Sequence, residues 1–144
     1  MFNLTDAVNE FFGPGSTNCH IALNAFVAPA AATEIVTEFN YKNRRPLSKK
    51  HVSVLAEAIK RDDFREYTSI DFAVLNNEPI LINGQHTLRA IASAEKPFWL
   101  CVHLYKVENE AEVERLYTKY DIGRGHHLLT KNELKKKKKE EDKK

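Results

Sequence analysis

The sequence predicts a small α+β domain, with a mixed sheet and helices packed around it. Three observations support this prediction: the length suits one domain, strand-like and helical periodicities intermingle, and no segment repeats. At 144 residues and 42% hydrophobic, the chain can build a single core. We divide it into an N-terminal lead-in, a folded domain and a lysine-rich C-terminal helix or tail, at residues 1–18, 19–129 and 130–144.

The first half of the chain predicts a strand between helices. The lead-in has one apolar helical face and ends at the break Gly13-Pro14-Gly15. Residues 21–27 have the composition of a strand, and apolar residues spaced i, i+3, i+4 and i+7 predict a helix over 32–39. Ser48 is the predicted N-cap of the next helix, over about 49–61.

The second half begins with a predicted hairpin. Residues 70–75 and 79–82 are two strands joined by a turn at Asn76-Asn77, and a helix is expected over 85–94. The strongest strand pattern covers 98–107, where the odd-numbered residues alternate with large aliphatic side chains.

The C-terminal quarter predicts two more helices and a basic end. Asn109 is expected to cap a helix that carries Val113, and Thr130 with Glu133 fits a capping box for a last helix. The net charge is only +2, and without the tail the body is near neutral or slightly acidic. The tail is therefore either a solvated end or a salt-dependent contact to nucleic-acid phosphates. Its unbroken basic run is Lys135, Lys136, Lys137, Lys138 and Lys139.

Several classes of protein are disfavoured by the composition. The two cysteines, Cys19 and Cys101, are too few for a disulfide framework and form no CxxC pair, and we expect Cys101 in the core. The N-terminus lacks the basic and apolar regions of a secretory signal, and no apolar segment approaches the roughly 20 residues of a membrane span. We therefore expect a cytoplasmic protein with reduced thiols and no membrane partner.

The stretch LINGQHTLRA, residues 81–90, is the strongest candidate for a binding site. A glycine between a strand and a helix permits a sharp turn, and the helix then begins with unpaired N–H groups that attract anions. Arg89 can make forked contacts to phosphate oxygens, and it lies three residues after His86. The residues alone leave two alternatives open, a phosphate site and a purely structural turn.

Three motifs in order carry a resemblance to a known family. They are NRRPLS at 43–48, NGQHTLRAI at 83–91 and YDIGR at 120–124. Together they resemble the ParB/sulfiredoxin-like superfamily, most closely its small phage and prophage proteins with a DGQHR-type motif, over about residues 21–128.

The resemblance implies a ParB/sulfiredoxin-like fold in which the glycine turn holds nucleotide phosphates. ParB-type members bind CTP and sulfiredoxins bind ATP, so the implied cofactor is a nucleoside triphosphate with Mg²⁺. Carried over to this chain, the implied phosphate-binding residues are Gly84, Gln85, His86, Thr87 and Arg89, with Arg44 and Arg45 adding charge. The implied accessory residues are Asn43, Asn83, Asp121 and Arg124, the last lying one position short of the family's arginine.

The chain departs from the family at residues that bear on catalysis. Asn83 stands where the family has an aspartate, and Thr87 stands where it has an arginine. Gln85 stands where sulfiredoxin chemistry needs a cysteine, which excludes peroxiredoxin repair. No catalytic residue is assigned, and NTPase or nuclease activity is left open.

Two hypotheses follow, and neither includes a metal site built by the protein. The first is a phage-type protein that binds a nucleotide or nucleic-acid phosphate at the NGQHTLR turn, in the host cytoplasm. The second is a non-catalytic factor that binds DNA or a host protein on a degenerate scaffold. The neighbours His126-His127 and Cys19-His20 lack the further groups that a metal site or a nucleophilic site needs.

Overall fold

The computed structural model describes residues 1–127, with side chains described as far as Tyr120. Over these residues the architecture is a small α+β domain with a four-stranded mixed sheet and five helices, which confirms the predicted fold class. In chain order the elements are α1 Leu4–Phe12, β1 His20–Val27, α2 Pro29–Glu38, α3 Lys49–Lys60, β2 Thr68–Leu75, β3 Glu78–Asn83, α4 Gln85–Ala94, β4 Phe98–Val107 and α5 Glu110–His127.

The helix starts follow the predicted caps. The Ser48 hydroxyl accepts the His51 N–H at 3.2 Å and begins α3, and the Asn109 side chain accepts the Glu112 N–H at 3.0 Å and begins α5. The hairpin turn is also as expected, since Asn76 and Asn77 have φ angles of 51° and 64°, which asparagine tolerates better than most residues.

Helix α5 extends through the YDIGR motif. Its backbone is helical at Asp121 and Arg124 and remains so to His126-His127. Tyr117 and Tyr120 belong to the apolar stripe by which the helix packs on the sheet. The predicted capping box at Thr130 and the tail from Lys135 to Lys139 lie outside the described residues.

The sheet joins distant parts of the chain in the order β1-β4-β2-β3. Strand β4 runs antiparallel to β1 and parallel to β2, and β2 forms the predicted hairpin with β3. Helix α4 supplies the crossover that parallel strands require. The main core lies on the sheet face covered by α2, α3 and α4, and α1 packs into the same core.

The two faces of β4 have different environments. Leu100, Val102 and Leu104 are fully buried in the main core. The odd-numbered residues point to the opposite face, part of which α5 covers. Cys101 is on that second face and is partly exposed, so its predicted place in the core is wrong, because the strand's alternation turns its side chain away.

Gly84 allows β3 and α4 to meet closely. Its φ of 119° and ψ of 11° lie in the left-handed region, where it serves as the N-cap residue of α4. A Cβ at this position would lie 2.5 Å from the Ile70 Cγ2 atom, on a side chain that is itself fully buried. The turn therefore requires glycine for backbone conformation and for space.

We predict that Gly84→Ala lowers the free energy of unfolding by about 2–4 kcal/mol, since it combines left-handed strain with overpacking. Urea denaturation measures the loss. Gly15→Ala is the matched control, because Gly15 also has a positive φ of 84° but no atom lies within 4 Å of its Cβ position. Equal losses in the two variants would contradict the packing argument.

Candidate functional site

A cationic cavity of about 360 Å³ lies between the loop after α2 and the first turns of α4. Among the described residues that line it, four are basic and none is acidic. Like charges placed around one space repel each other, and a bound anion would relieve that repulsion. The lining consists of Val36, Asn40, Lys42, Arg44, Arg45, Pro46, Leu47, Gln85 and Arg89.

Gln85 holds the loop between α2 and α3, which carries Arg44 and Arg45, against α4. Its side chain is only 8% exposed, and its Nε2 donates to the Arg45 carbonyl oxygen at 2.9 Å. Its Oε1 accepts from Asn40 Nδ2 at 3.2 Å, which ties the start of the same loop. Gln85 therefore lines the cavity and also sets the position of the loop that supplies two of its arginines.

His86 is a second anchor for the loop. The ring is buried, and its Nε2 accepts the Ser48 N–H at 3.0 Å, so this nitrogen carries no proton. Thr87 is fully buried, and its Oγ1 has no hydrogen-bond partner among the described residues. The structure thus brings Arg44, Arg45 and Arg89 together around the cavity and places the side chains of His86 and Thr87 outside its lining.

A third contact that holds the loop comes from α5, and the sequence did not predict it. The Tyr117 hydroxyl oxygen accepts the Arg45 N–H at 2.6 Å, across 72 residues of chain. The Tyr117 ring packs on Tyr41 with centroids 4.6 Å apart, and the Tyr41 carbonyl accepts from Arg44 Nη1 at 3.3 Å. No local pattern signals such a contact, since it depends on how α5 lies on the sheet.

The predicted accessory residues are spread over different places. Asn83 faces away from the cavity, and its Nδ2 donates to Asp71 Oδ2 at 2.8 Å. Asn43 lines a neighbouring cavity, described below, and makes a long contact of 3.5 Å to the Tyr41 hydroxyl. Asp121 and Arg124 belong to α5 by their backbone, but their side chains lie outside the described residues.

A polar network on the second face of the sheet was not predicted either. Asp71 is only 1% exposed and is partnered by Asn83. The Tyr120 hydroxyl donates to the Tyr105 hydroxyl at 2.9 Å, which connects α5 to β4. Further along β4, a His103 ring nitrogen lies 2.9 Å from one of His20, and the other lies 3.5 Å from the Cys101 sulfur.

The pKa values of Tyr120 and Cys101 are both raised, which favours the neutral forms of these two side chains. Burial raises the pKa of Tyr120 far above its usual value of 10.0, and the hydrogen bond with Tyr105 and the charge of Asp71 raise it further. Burial and Asp71 also raise the pKa of the Cys101 thiol. The network therefore joins α5 to the sheet through neutral donors beside one buried carboxylate.

No protein family has a profile that matches the chain, and no curated protein matches it. In the described part of the chain, no three His, Cys, Asp or Glu side chains are grouped so that they could hold a metal ion. None of the described helices is long and apolar enough to cross a membrane.

The contacts of Tyr117 and His86 with the loop predict how fast two individual backbone amides exchange with solvent. Tyr117→Phe removes the acceptor of the Arg45 N–H, so this amide should exchange with solvent about fivefold faster or more. The Ser48 amide should keep its protection in that variant and lose it in His86→Ala. Amide exchange followed by NMR measures both sites. The same rates in wild type and both variants would contradict the anchoring roles.

The raised pKa of Tyr120 predicts a loss of stability in alkali. Below about pH 10 the phenol is protonated in both states, but above it the unfolded chain releases a proton that the folded protein holds. The midpoint of thermal unfolding should therefore fall as the pH rises through 10, and fall less steeply in Tyr120→Phe. Equal slopes for the two proteins between pH 8 and 11 would disprove this role.

Proposed function

We propose that this protein binds the phosphate groups of a nucleotide or a nucleic acid in the cationic cavity. The observation that carries the proposal is the convergence of Lys42, Arg44, Arg45 and Arg89 on one cavity whose described lining contains no carboxylate. Within the described residues, neither Arg44 nor Arg89 forms a salt bridge. The charges of Arg44 and Arg89 are thus available to an anion, whereas Lys42 lies 3.8 Å from the Glu110 carboxylate. Guanidinium groups match phosphate oxygens in pairs.

The loop anchors support the same proposal by lowering the cost of binding. The backbone around Arg45 is held from three directions, by Gln85, His86 and Tyr117. A cationic loop that is already ordered loses less conformational entropy when a ligand binds. The anchoring residues therefore contribute to affinity indirectly, by holding the arginines near Arg89.

A neighbouring cavity favours a nucleotide over a simple phosphate ion. It measures about 430 Å³ and shares Asn40 and Lys42 with the cationic cavity. Its other lining residues include the ring of Tyr41, the amide of Asn43 and the carboxylates of Glu110 and Glu114. Such groups suit the base and sugar of a nucleotide whose phosphates lie among the arginines. The family resemblance suggests CTP or ATP with Mg²⁺.

The residues support binding more directly than catalysis. Hydrolysis needs a general base or a metal ligand at the phosphates, and no acidic residue is found in the described lining of the cationic cavity. His86 Nε2 already accepts a backbone N–H, and Asn83 points to the other side of the sheet. We therefore propose a binding protein and leave NTPase or nuclease activity to experiment.

Arg89→Ala should weaken nucleotide binding by at least about tenfold, because a charge-assisted hydrogen bond contributes about 1.5–3 kcal/mol. Calorimetric titration with CTP, ATP and GTP in the presence of Mg²⁺ measures the effect. Arg65→Ala is the matched control, since Arg65 is exposed and outside the cavity lining. If the wild-type protein binds none of these nucleotides, the proposal is wrong.

A second candidate function is supported by the same lack of acidic groups in the described cavity lining. The fold would then serve as a scaffold that binds DNA or a host protein without chemistry. DNA binding that survives Arg44→Ala and Arg89→Ala but disappears when residues 134–144 are deleted would favour this function and assign the contact to the tail.

A further inference from the structure

The two edge strands of the sheet, β3 and β1, differ in how they are protected against pairing with a further strand. At the β3 edge, Tyr41 N donates to the Leu81 carbonyl at 3.2 Å and Leu81 N donates to the Phe39 carbonyl at 2.7 Å. Strand β3 also contains Pro79 and begins with Glu78. A covering segment, a proline and a charge are the usual means of preventing strand addition. The β3 edge is therefore closed.

The β1 edge lacks these protections over most of its length. Its sequence, HIALNAFV, contains no Asp, Glu, Lys, Arg or proline, and its pairing with β4 shows no bulge along eight residues. Near its end, Phe2 N donates to the Phe26 carbonyl at 3.4 Å. Within residues 1–127, no other strand pairs with the outer side of β1.

The backbone groups that face outward can be named. The Cys19 carbonyl accepts from Lys106 N at 2.9 Å, so the odd-numbered residues of β1 bond to β4 and the even-numbered ones face outward. Phe26 fits this pattern, because its carbonyl accepts from outside the sheet. The outward N–H and C=O groups at the centre of the strand belong to Ala22 and Asn24, whose side chains are both exposed.

We propose that β1 pairs antiparallel with β1 of a second copy, which joins two four-stranded sheets into one of eight strands. A twofold axis beside Leu23 places Ala22 and Asn24 of one copy opposite Asn24 and Ala22 of the other. Each of these pairs exchanges two N–H···O=C bonds, so the dimer gains four.

The side chains suit this arrangement on both faces of the joined sheet. The half-buried Leu23 meets Leu23 of the second copy, and Ile21 meets Ala25, so apolar surface left partly open in the monomer is covered. On the other face, Ala22 and Asn24 are small and uncharged and create no repulsion across the axis. A second copy fits better than an unrelated peptide because this arrangement is self-complementary.

The test is the oligomeric state of the whole chain. Sedimentation equilibrium of the wild-type protein from about 5 to 500 μM should show a monomer–dimer equilibrium. Asn24→Pro removes one outward N–H from each copy and should raise the dissociation constant at least about tenfold. Proline is tolerated at an edge where the N–H faces solvent, so the monomer should still fold. Asn24→Lys, which adds like charges across the axis, should weaken the dimer in the same direction and serves if the proline variant does not fold.

The matched control is Asn24→Thr, which keeps the outward backbone groups and should leave the dimer intact. A wild-type protein that remains monomeric over the whole concentration range would overturn the proposal. So would a dimer that persists unchanged in Asn24→Pro and Asn24→Lys, since its contact would then lie elsewhere. Neither result bears on nucleotide binding, because β1 contributes no residue to the lining of the cationic cavity.

Discussion

The shape of the cationic cavity depends on the hydrogen bonds that the first turn of α4 makes. Gln85 and His86 direct their side chains to the backbone of the loop that precedes α3, where they bind the Arg45 carbonyl and the Ser48 amide. The loop has few other means of holding its shape, because residues 42–50 are all exposed. The polar groups of this turn therefore hydrogen-bond to the protein's own backbone, and they affect the cavity through the position of the arginines.

The same constraint accounts for Asn83 and Thr87, which differ from the motif of the family that the sequence resembles. Asn83 satisfies the buried carboxylate of Asp71, and an aspartate in its place would bring two carboxylates together away from water. Thr87 is fully buried, so an arginine side chain could not occupy its place without rearranging the core. In this fold both residues suit their surroundings. The sheet separates Asn83 from the cavity, which leaves Arg89 as the cation that α4 contributes.

Local chemistry explains why much of the fold was predictable. Caps such as Ser48 and the asparagine turn of the hairpin are decided by neighbouring residues, and α4 and β4 were predicted at their observed bounds. The cluster of Arg44, Arg45 and Arg89 was also anticipated, although only through the family resemblance. Its use as a ligand site stays a prediction.

What could not be predicted depends on contacts between distant segments. The Tyr117 anchor and the polar network around Asp71 join residues from separate elements, and no local period indicates them. Cys101 was misplaced for a related reason, since alternation shows that a strand has two faces but not which of them is the core. The course of α5 through Gly123 to His127 could not be predicted either, because glycine lowers helix propensity and no local signal there favours a helix.

The pairing of β1 with β4 also has a consequence for synthesis on the ribosome. Strand β1 ends at Val27, but its partner begins only at Phe98, about 70 residues later. At usual translation rates this interval takes roughly 4–14 s. During that time an uncharged strand has no native partner, while β2, β3 and β4 emerge close together. The nascent chain is therefore exposed to aggregation through its N-terminal part, and a chaperone that binds short apolar segments would act there first.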